Sequence, residues 1–487
     1  ALALALAGGG FWAYKTFVPQ ETPIDKNATV ASNFYQAVNK DWLLKTKIPA
    51  DSPSIDNFYT LDEDIKGKLK KDIKNLGEGK ETSDITGMSE FITFYKAASD
   101  YKQREKDGLE PLKPYLKEIE DIKDLNDLAS KSASLTDKGI PLPFGYDVGT
   151  NAENTSQKQI QLSPPSILLP DVSIYKDEAS KKQYLTPIET ATQKALEMLG
   201  YSEKNSKRIV KEALEFDEII AKYSLSNEEM SESKNLVHPK TAEEINAYSG
   251  SFKLYDVIKG IMGRDLETIN VPNTKYFENY SKIVNQDNFS KIKSWILVQE
   301  AMAASNSLTE DYRLNFQSIS MAIMGTQKPI SKEDTVYEMS VHLFSDVMSV
   351  YYGRKYFGEE AKTDVTGMID KIKNVYRGRL QQNDWLTEDT RNKAIEKLDK
   401  MKVFVGYQED VDPGTKELHL DPNKSFFGLS EDIAQFGKRY TIDHFDDPID
   451  KNKWSGSAFD INAYYNPESN SINFPAGILQ APFYDKN

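Results

Sequence analysis

Histidine and acidic side chains are the residues of this chain that could bind a metal ion, but their spacing does not form a complete site. The four histidines are His238, His342, His419 and His444, and no two of them stand at metal-ligand spacing. His342 and Asp346 are four residues apart, would share one helix face and could supply two ligands. Because a zinc site needs a third protein ligand, helix packing is the favoured interpretation of this pair.

A second acidic group surrounds His444. Asp443, Asp446, Asp447 and Asp450 offer carboxylate oxygens that calcium could use. Their spacing is not that of an EF-hand, and no glycine stands at the sharp turn that such a loop requires. We therefore favour a solvated acidic loop over a calcium site.

Other catalytic motifs are also absent from the sequence. Gly77–Lys80 is rich in glycine, but Glu81 stands where a phosphate-binding loop needs Ser or Thr. There is no G-x-S-x-G elbow and no kinase signature. The chain contains no cysteine, which excludes disulfides, thiol catalysis and thiolate zinc ligands within it.

Composition narrows the class of protein and its partners. The 487 residues include 39% hydrophobic and 28% charged side chains, which predicts a water-soluble globular body. This length corresponds to about two or three domains. The net charge of −14 argues against nucleic acid as a partner and against docking on anionic lipid.

The N-terminus is apolar, and two interpretations remain open. Ala5-Leu6-Ala7 before Gly8 fits a signal-peptidase site. Phe11, Trp12, Tyr14 and Lys15 instead fit the interfacial end of an uncleaved membrane anchor, which we favour slightly. Both interpretations predict an extracytoplasmic protein that is secreted or anchored to the cell membrane. The alternative is an apolar N-terminus without function on a cytosolic protein.

The elements that must position any site are mainly helices. Apolar periodicity predicts helices over most of residues 33–400, the clearest being Val336–Phe357, Asp364–Gln381 and Thr387–Lys400. Strands are predicted at Gln157–Ser163 and Met401–Tyr407, and irregular structure is predicted from Asp412 to Trp454. The predicted units are a signal or anchor remnant with a tether (1–29), an N-terminal segment (30–78), a helical domain (79–410), a linker region (411–454) and the start of a further domain (455–487).

The last segment has the pattern of a hairpin or sheet edge. The alternating run Ile461–Tyr465 is followed by an Asn-Pro-Glu-Ser-Asn turn cluster and then by Ser471–Phe474. The apolar stretch Pro475–Tyr484 that comes next is typical of a pocket wall.

Three blocks of sequence carry a resemblance to a known family. The last segment, with Asn-Ala-Tyr-Tyr and Phe-Pro-Ala-Gly-Ile-Leu-Gln, closely resembles the substrate-binding edge of the neprilysin / endothelin-converting-enzyme family of zinc metallopeptidases, which includes the bacterial oligopeptidase O type. The opening block Asn33–Leu61 and the block Trp385–Tyr407 are similar to further parts of that family. The resemblance covers nearly the whole chain after about Thr29.

The resemblance implies a fold and an activity. The family's fold is mainly α, with a large helical cap domain facing a thermolysin-like α+β zinc peptidase domain. Its members hydrolyse peptides with one zinc ion, inside a cavity that admits peptides and excludes folded proteins. In that arrangement residues 30–78 and 455–487 would belong to the catalytic lobe, and residues 79–410 would form the cap.

The resemblance also implies substrate-binding residues. Asn462 and Ala463 match the pair that holds the substrate backbone, and an Asn amide can both donate and accept hydrogen bonds. Ile478, Phe483 and Phe58 match positions that line the pocket for the residue after the scissile bond. Without the resemblance the three apolar side chains would be assigned to the core and the asparagine to a turn.

Two departures from the family pattern qualify these expectations. Ser54 stands where animal neprilysin has an arginine that grips a terminal carboxylate, which favours a broader endopeptidase or oligopeptidase. The zinc-binding H-E-x-x-H motif is expected beyond Asn487, so we expect no catalytic residue and no zinc ligand within this chain. The chain alone is therefore predicted to be an inactive fragment. The alternative is a non-catalytic peptide-binding or scaffold protein derived from the same fold.

Overall fold

Helices dominate the computed structural model, which describes residues 24–485, and the mainly-α prediction is confirmed. The first helices in chain order are α1 (Phe34–Lys45), α2 (Asn57–Gly77), α3 (Met88–Ser99), α4 (Tyr101–Asp107), α5 (Lys113–Glu120), α6 (Leu125–Asp137), α7 (Glu178–Met198), α8 (Glu203–Tyr223), α9 (Asn227–Met230), α10 (Ala242–Tyr248) and α11 (Leu254–Met262). They are followed by α12 (Thr274–Glu278), α13 (Tyr280–Ile283), α14 (Phe289–Ala303), α15 (Glu310–Met324), α16 (Lys332–Leu343), α17 (Ser345–Tyr352), α18 (Gly358–Gln381), α19 (Glu388–Lys400), α20 (Pro413–Glu417) and α21 (Phe426–Asp443).

Short polar side chains fix where many of these helices begin. Asp56 caps α2 by accepting a hydrogen bond from the Tyr59 amide, and Ser331 caps α16 in the same way. Thr241 and Glu244 form a reciprocal capping box at α10. Such caps satisfy amide donors that a helix cannot satisfy internally, so they set the first residue of each helix.

The apolar residues divide into two large hydrophobic cores. The first core draws its buried residues from 112–319 together with Phe427. The second core joins residues 61–98 and 336–352 to 411–429, Ala458 and Ala476. The second core therefore combines residues from both sides of the predicted boundaries at 78/79 and 410/411. It also brings α2, near the start of the described chain, together with Ala476 near its end.

Helix α2 shows how the sequence builds this second core. Leu61, Ile65, Leu69 and Ile73 recur every four residues and are all buried, whereas Lys and Asp side chains occupy much of the outer face. This spacing places the four side chains on one face of the helix. Burial of each stabilises the fold by about 1.5–3 kcal/mol.

Two small sheets accompany the helices. The first contains β1 (Gly145–Thr150), β2 (Lys158–Ser163), β3 (Pro239–Lys240) and β4 (Ile269–Asn270) in the order β1-β2-β4-β3. The second contains β5 (Lys402–Gly406), β6 (Tyr464–Asn466) and β7 (Ser471–Pro475) in the order β5-β7-β6. The predicted strands at 157–163 and 401–407 are confirmed as β2 and β5.

The prediction of irregular structure from Asp412 to Trp454 is wrong, because α21 lies within it. Ser425 caps this 18-residue helix by accepting a hydrogen bond from the Gly428 amide. Phe426 and Leu429 enter the second core, and Phe427 enters the first. Two glycines within the helix and the polar loops around it concealed its periodicity in the sequence.

The prediction of one helix over Val336–Phe357 is also wrong. Helix α16 ends at Leu343. The next residue, Phe344, has backbone angles that are not helical (φ −115°, ψ 39°), and α17 begins directly after it. A π-helical turn, Gly353–Phe357, follows α17. Side-chain periodicity did not reveal the break because apolar residues continue through it.

The predicted signal or anchor segment lies in residues 1–23, outside the described residues. Among residues 24–485, no helix is long and apolar enough to cross a lipid bilayer.

Candidate functional site

The predicted hairpin forms the exposed edge of the second sheet. β6 pairs with β7 in antiparallel register, with Tyr464 opposite Asn473 and Asn466 opposite Ser471. β7 is the central strand and runs parallel to β5 on its other side. No strand of residues 24–485 pairs with the outer side of β6, and such a free strand edge can accept an extended peptide through main-chain hydrogen bonds.

Asn462 and Ala463 lie immediately before β6, and both are exposed. Asn462 Oδ1 accepts a hydrogen bond from the Ala463 amide at 2.8 Å. Its side-chain NH₂ donates no hydrogen bond to another residue within 24–485, and the residue as a whole is exposed. Asn462 lies two residues before Tyr464, which pairs with Asn473. It is therefore at the open end of the hairpin, where β7 leads into the predicted pocket wall.

Phe58 and Phe483, which the sequence places at opposite ends of the chain, are in contact. Their ring centroids are 4.7 Å apart and the ring planes are inclined by 41°. The side chains remain 48% and 43% exposed, so they are not core residues. Two large aromatic rings that contact each other at the surface form an apolar platform available to a ligand.

Local hydrogen bonds hold the segment that carries Phe483. Gly477 donates its amide to the Ala458 carbonyl at 2.8 Å, and a Cβ at this position would lie 2.5 Å from the Phe459 carbonyl oxygen. Only glycine allows this close approach. Gln480 Nε2 donates to the Tyr352 hydroxyl at 3.0 Å, and the Phe483 amide donates to the Gln480 carbonyl at 2.9 Å.

Ile478 lies in the turn that follows β7 and is half-buried. It therefore occupies the same continuous segment as Phe483, on the path from the sheet to the aromatic pair. Gln480, which orients this path, was not among the predicted site residues, although it ends the Phe-Pro-Ala-Gly-Ile-Leu-Gln run.

Two acids beside these elements have raised pKa values and were not anticipated from the sequence. Asp62 is one helical turn beyond Phe58, and burial together with repulsion from Glu338 raises its pKa. Asp460 lies just before the edge-strand segment, and burial raises its pKa as well. Because the sequence is rich in acids throughout, only the surroundings of these two carboxylates in the fold distinguish them.

Residues 24–485 do not fit a zinc site. Among them no group of three or more His, Cys, Asp or Glu side chains is arranged to hold a metal ion. Asp346 instead accepts hydrogen bonds from the Asp412 amide at 2.9 Å and from Thr415 Oγ1 at 2.6 Å, which agrees with the packing interpretation. His444 stacks on Tyr440 with ring centroids 4.0 Å apart.

Comparison with known proteins assigns the family. The sequence profile described as "Peptidase family M13" matches residues 30–408, and a second profile with the same description matches residues 462–487. The chain belongs to peptidase family M13. The neprilysin-like resemblance of the three sequence blocks is confirmed.

Curated relatives of this M13 chain include bacterial neutral endopeptidases. The chain is 33% identical over 462 residues to the neutral endopeptidase of Lactobacillus helveticus, a match that covers 95% of this chain and 71% of the relative. It is 31% identical over 460 residues to the neutral endopeptidase of Lactococcus lactis subsp. lactis, with 93% and 72% covered.

Solved structures agree on the M13 fold. The crystal structure of PepO from Lactobacillus rhamnosis HN001 superposes with a TM-score of 0.88 at 25% identity, covering 94% of this chain and 73% of PepO. The zinc metalloprotease Zmp1 of Mycobacterium tuberculosis, in complex with an inhibitor, gives a TM-score of 0.83 at 22% identity and covers 96% of this chain and 70% of Zmp1.

Proposed function

We propose that this M13 chain provides the peptide-binding part of a zinc-dependent metalloendopeptidase or oligopeptidase. The observation that carries the proposal is the contact between Phe58 and Phe483, which joins the start of α2 to the segment after the edge strand. The names of the bacterial relatives, neutral endopeptidases, support the same class of substrate.

In this proposal a peptide binds in extended form along β6. Main-chain hydrogen bonds to the free edge hold the peptide without reading its sequence. Asn462, just before the strand, adds a side-chain amide that can contact the peptide backbone. A large apolar side chain of the peptide rests on Phe58 and Phe483, and Ile478 completes the wall. Burial of this peptide side chain contributes about 1.5–3 kcal/mol to binding.

The proposed specificity is broad. Ser54 cannot form the bidentate, charge-assisted hydrogen bonds that an arginine makes with a substrate carboxylate. Its own carbonyl accepts a hydrogen bond from Ser52 Oγ at 2.7 Å. Residue 54 therefore provides no charged group that would select for a free peptide terminus. Internal cleavage of longer peptides fits this better than release of terminal dipeptides.

The zinc ligands and the catalytic base are proposed to come from polypeptide outside residues 24–485, since these residues do not fit a metal site. No catalytic step is assigned to this chain. Its own residues would bind the peptide, hold it extended and present one side chain to the aromatic pair. We accordingly expect the 487-residue chain by itself to bind peptides and to leave them uncleaved, even with zinc added.

The test uses a full-length protein that contains this chain, with an internally quenched peptide carrying a large apolar residue. Hydrolysis that is abolished by a zinc chelator and restored by zinc supports the proposal. Hydrolysis that persists after chelation would contradict it. The same assay with a folded protein as substrate tests the proposed enclosed cavity, which should leave that protein intact.

A second candidate function is a non-catalytic peptide-binding or scaffold protein with the same fold. The free edge of β6 and the exposed aromatic pair could bind a peptide in such a protein without any catalytic group. Peptide binding without hydrolysis by the full-length protein, at any zinc concentration, would identify this function.

We also propose that the protein is extracytoplasmic, secreted or held by an N-terminal membrane anchor, on the basis of the apolar sequence of residues 1–14. Protease treatment of intact cells should then degrade an anchored protein, or the protein should appear in the culture medium. A protein that resists protease added to intact cells and is also missing from the culture medium would contradict this location.

A further inference from the structure

A lysine lies beside the free strand edge, near the turn of the hairpin. Lys397 is in the last turn of α19, and its Nζ lies 5.6 Å from the centroid of the Tyr465 ring. Tyr465 belongs to β6 and is 40% exposed. Because faces of aromatic rings attract ammonium groups, this ring restrains the lysine next to the edge strand.

Hydrogen bonds fix the orientation of the Tyr465 ring. Its hydroxyl donates to Asn470 Oδ1 at 3.0 Å, and Asn470 Nδ2 donates to the Lys397 carbonyl oxygen at 2.9 Å. Asn470 has a φ of 48°, a left-handed conformation that asparagine tolerates better than most residues. One side-chain amide thus connects the hairpin turn to the end of α19, and it uses no atom of the lysine ammonium group.

The Lys397 ammonium group forms no ion pair within residues 24–485. Its neighbour in the sequence, Glu396, pairs instead with Lys393 at 2.9 Å and with Lys400 at 2.7 Å. Glu468, in the hairpin turn, forms no ion pair within the same part of the chain. The charge of Lys397 is therefore available to a ligand at the edge that the proposed peptide would occupy.

A peptide added along β6 would bring its side chains close to this cation. Neighbouring strands lie about 4.8 Å apart, and side chains opposite each other on one face have Cβ atoms about 5 Å apart. A Glu or Asp of the peptide that lies opposite Tyr465 on the same face would thus reach Lys397 Nζ. The two peptide residues that flank it point to the other face.

We propose that Lys397, held over Tyr465, is a specificity-determining residue that binds an acidic side chain of the peptide near the hairpin turn, away from the aromatic pair. The inference rests on the proposed function, because it requires an extended peptide on the edge of β6. The chain's net charge of −14 repels acidic peptides, but salt screens that repulsion beyond about 8 Å. The nearby cation therefore decides the preference, and an ion pair at this exposure should tighten binding about twofold to fivefold.

The test measures binding of short fluorescent peptides of equal length to the full 487-residue chain by anisotropy, at about 0.15 M salt. Every peptide carries one central Phe for the aromatic pair, and a Glu or a Gln is moved through the other positions one at a time. Glu should bind about twofold to fivefold more tightly than Gln at one position on one side of the Phe. It should give no such gain at the two flanking positions. Long-range attraction would not produce this alternation.

Charge reversal tests whether Lys397 is the cause. In Lys397→Glu the selected position should favour Lys over Gln about twofold to fivefold, and Glu should bind more weakly than Gln. The matched control is Lys393→Glu, the same charge change one turn earlier on α19, and it should keep the preference of the natural chain. Circular dichroism confirms that both variants are folded. A Glu preference that survives Lys397→Glu, or that both variants remove equally, would overturn the proposal.

Failure of this inference is distinguishable from failure of the proposed function. Equal binding of the Glu and Gln peptides at every position, together with chelator-sensitive hydrolysis of the Gln peptides by the full-length protein, would contradict the role of Lys397 alone. A chain that binds none of the peptides would contradict both proposals.

Discussion

At the scale of single residues, the aromatic pair is the feature that most directly links the structure to peptide binding. Replacing Phe58 or Phe483 with alanine removes a surface that the fold does not need for its core, since both rings are about half exposed. We expect each substitution to weaken binding of a peptide with a large apolar residue about tenfold, which corresponds to roughly 1.4 kcal/mol. Titration calorimetry with the chain measures this directly.

A double-mutant cycle tests whether the two rings act together. Because they are in contact, the double variant should lose less than the sum of the single losses, with a coupling of about 0.5–1.5 kcal/mol. Phe34→Ala is a suitable control, because Phe34 is an exposed phenylalanine outside the pair. Strictly additive losses, or an equal loss in the control, would count against a shared platform.

Asn462 should act on every peptide alike. Its proposed partner is the peptide backbone, so Asn462→Ala is expected to weaken binding about fivefold to tenfold, independent of peptide sequence. Comparing one peptide with a phenylalanine and one with an alanine at the central position provides the measurement. A loss confined to the phenylalanine peptide would place Asn462 in the side-chain pocket instead.

These residues show most clearly which parts of the site the sequence alone could predict. Periodicity predicts nothing about Phe58 and Phe483, which share no element, and only the resemblance to a known family placed them in one pocket. The hairpin of β6 and β7 was predictable because alternation and turn chemistry are local. Asp62, Asp460 and Gln480 were not predictable, because only neighbouring groups brought together by the fold distinguish them from many similar side chains.

At the scale of elements, α21 connects the two hydrophobic cores, and its N-cap should matter beyond one helix. Ser425→Ala removes the acceptor for the Gly428 amide and should lower the free energy of unfolding by about 1 kcal/mol. Urea unfolding followed by circular dichroism gives the value. Ser430→Ala serves as the control, because the Ser430 hydroxyl donates its hydrogen bond to the Phe426 carbonyl within the same helix and caps no free amide.

Helix α21 also shows why element prediction failed locally. Its apolar residues face two different cores, so they do not form the single stripe that a periodicity search detects. The break between α16 and α17 was missed for the opposite reason. Both helices are largely buried and apolar on several sides, so the apolar pattern continues across the break. Tertiary packing decides both cases, and neither is encoded in a short window of sequence.

At the scale of the whole molecule, a buried acid on α14 couples stability to pH. Burial and repulsion from Glu431 raise the pKa of Glu300 to about 8, from an ordinary value of 4.5. Between these two pH values the folded protein holds a proton that the unfolded chain releases. The free energy of unfolding should therefore fall as pH rises through this window, by roughly 1 kcal/mol per pH unit.

Glu300→Gln keeps the shape of the neutral acid and cannot ionise. We expect this variant to match the natural chain near pH 5 and to be more stable near pH 8, as measured by urea unfolding at both pH values. Glu189→Gln, an exposed acid on α7, should change stability little at either pH. An equal response of the natural chain and Glu300→Gln to pH would exclude this acid as the cause.

The composition of the second core has a consequence for how the protein is made. Lys70 on α2 contacts Asp334 on α16 across 264 residues, and Ala458 and Ala476 come later still. At about 5–20 residues per second, a ribosome needs on the order of 15–50 s to deliver α16 after α2. The buried residues of the first core lie mostly within one stretch, 112–319, and can assemble as soon as that stretch emerges. Until then the part of the α2 apolar face that packs on these later residues stays uncovered in the nascent chain, where a chaperone that shields it would raise the yield of folded protein.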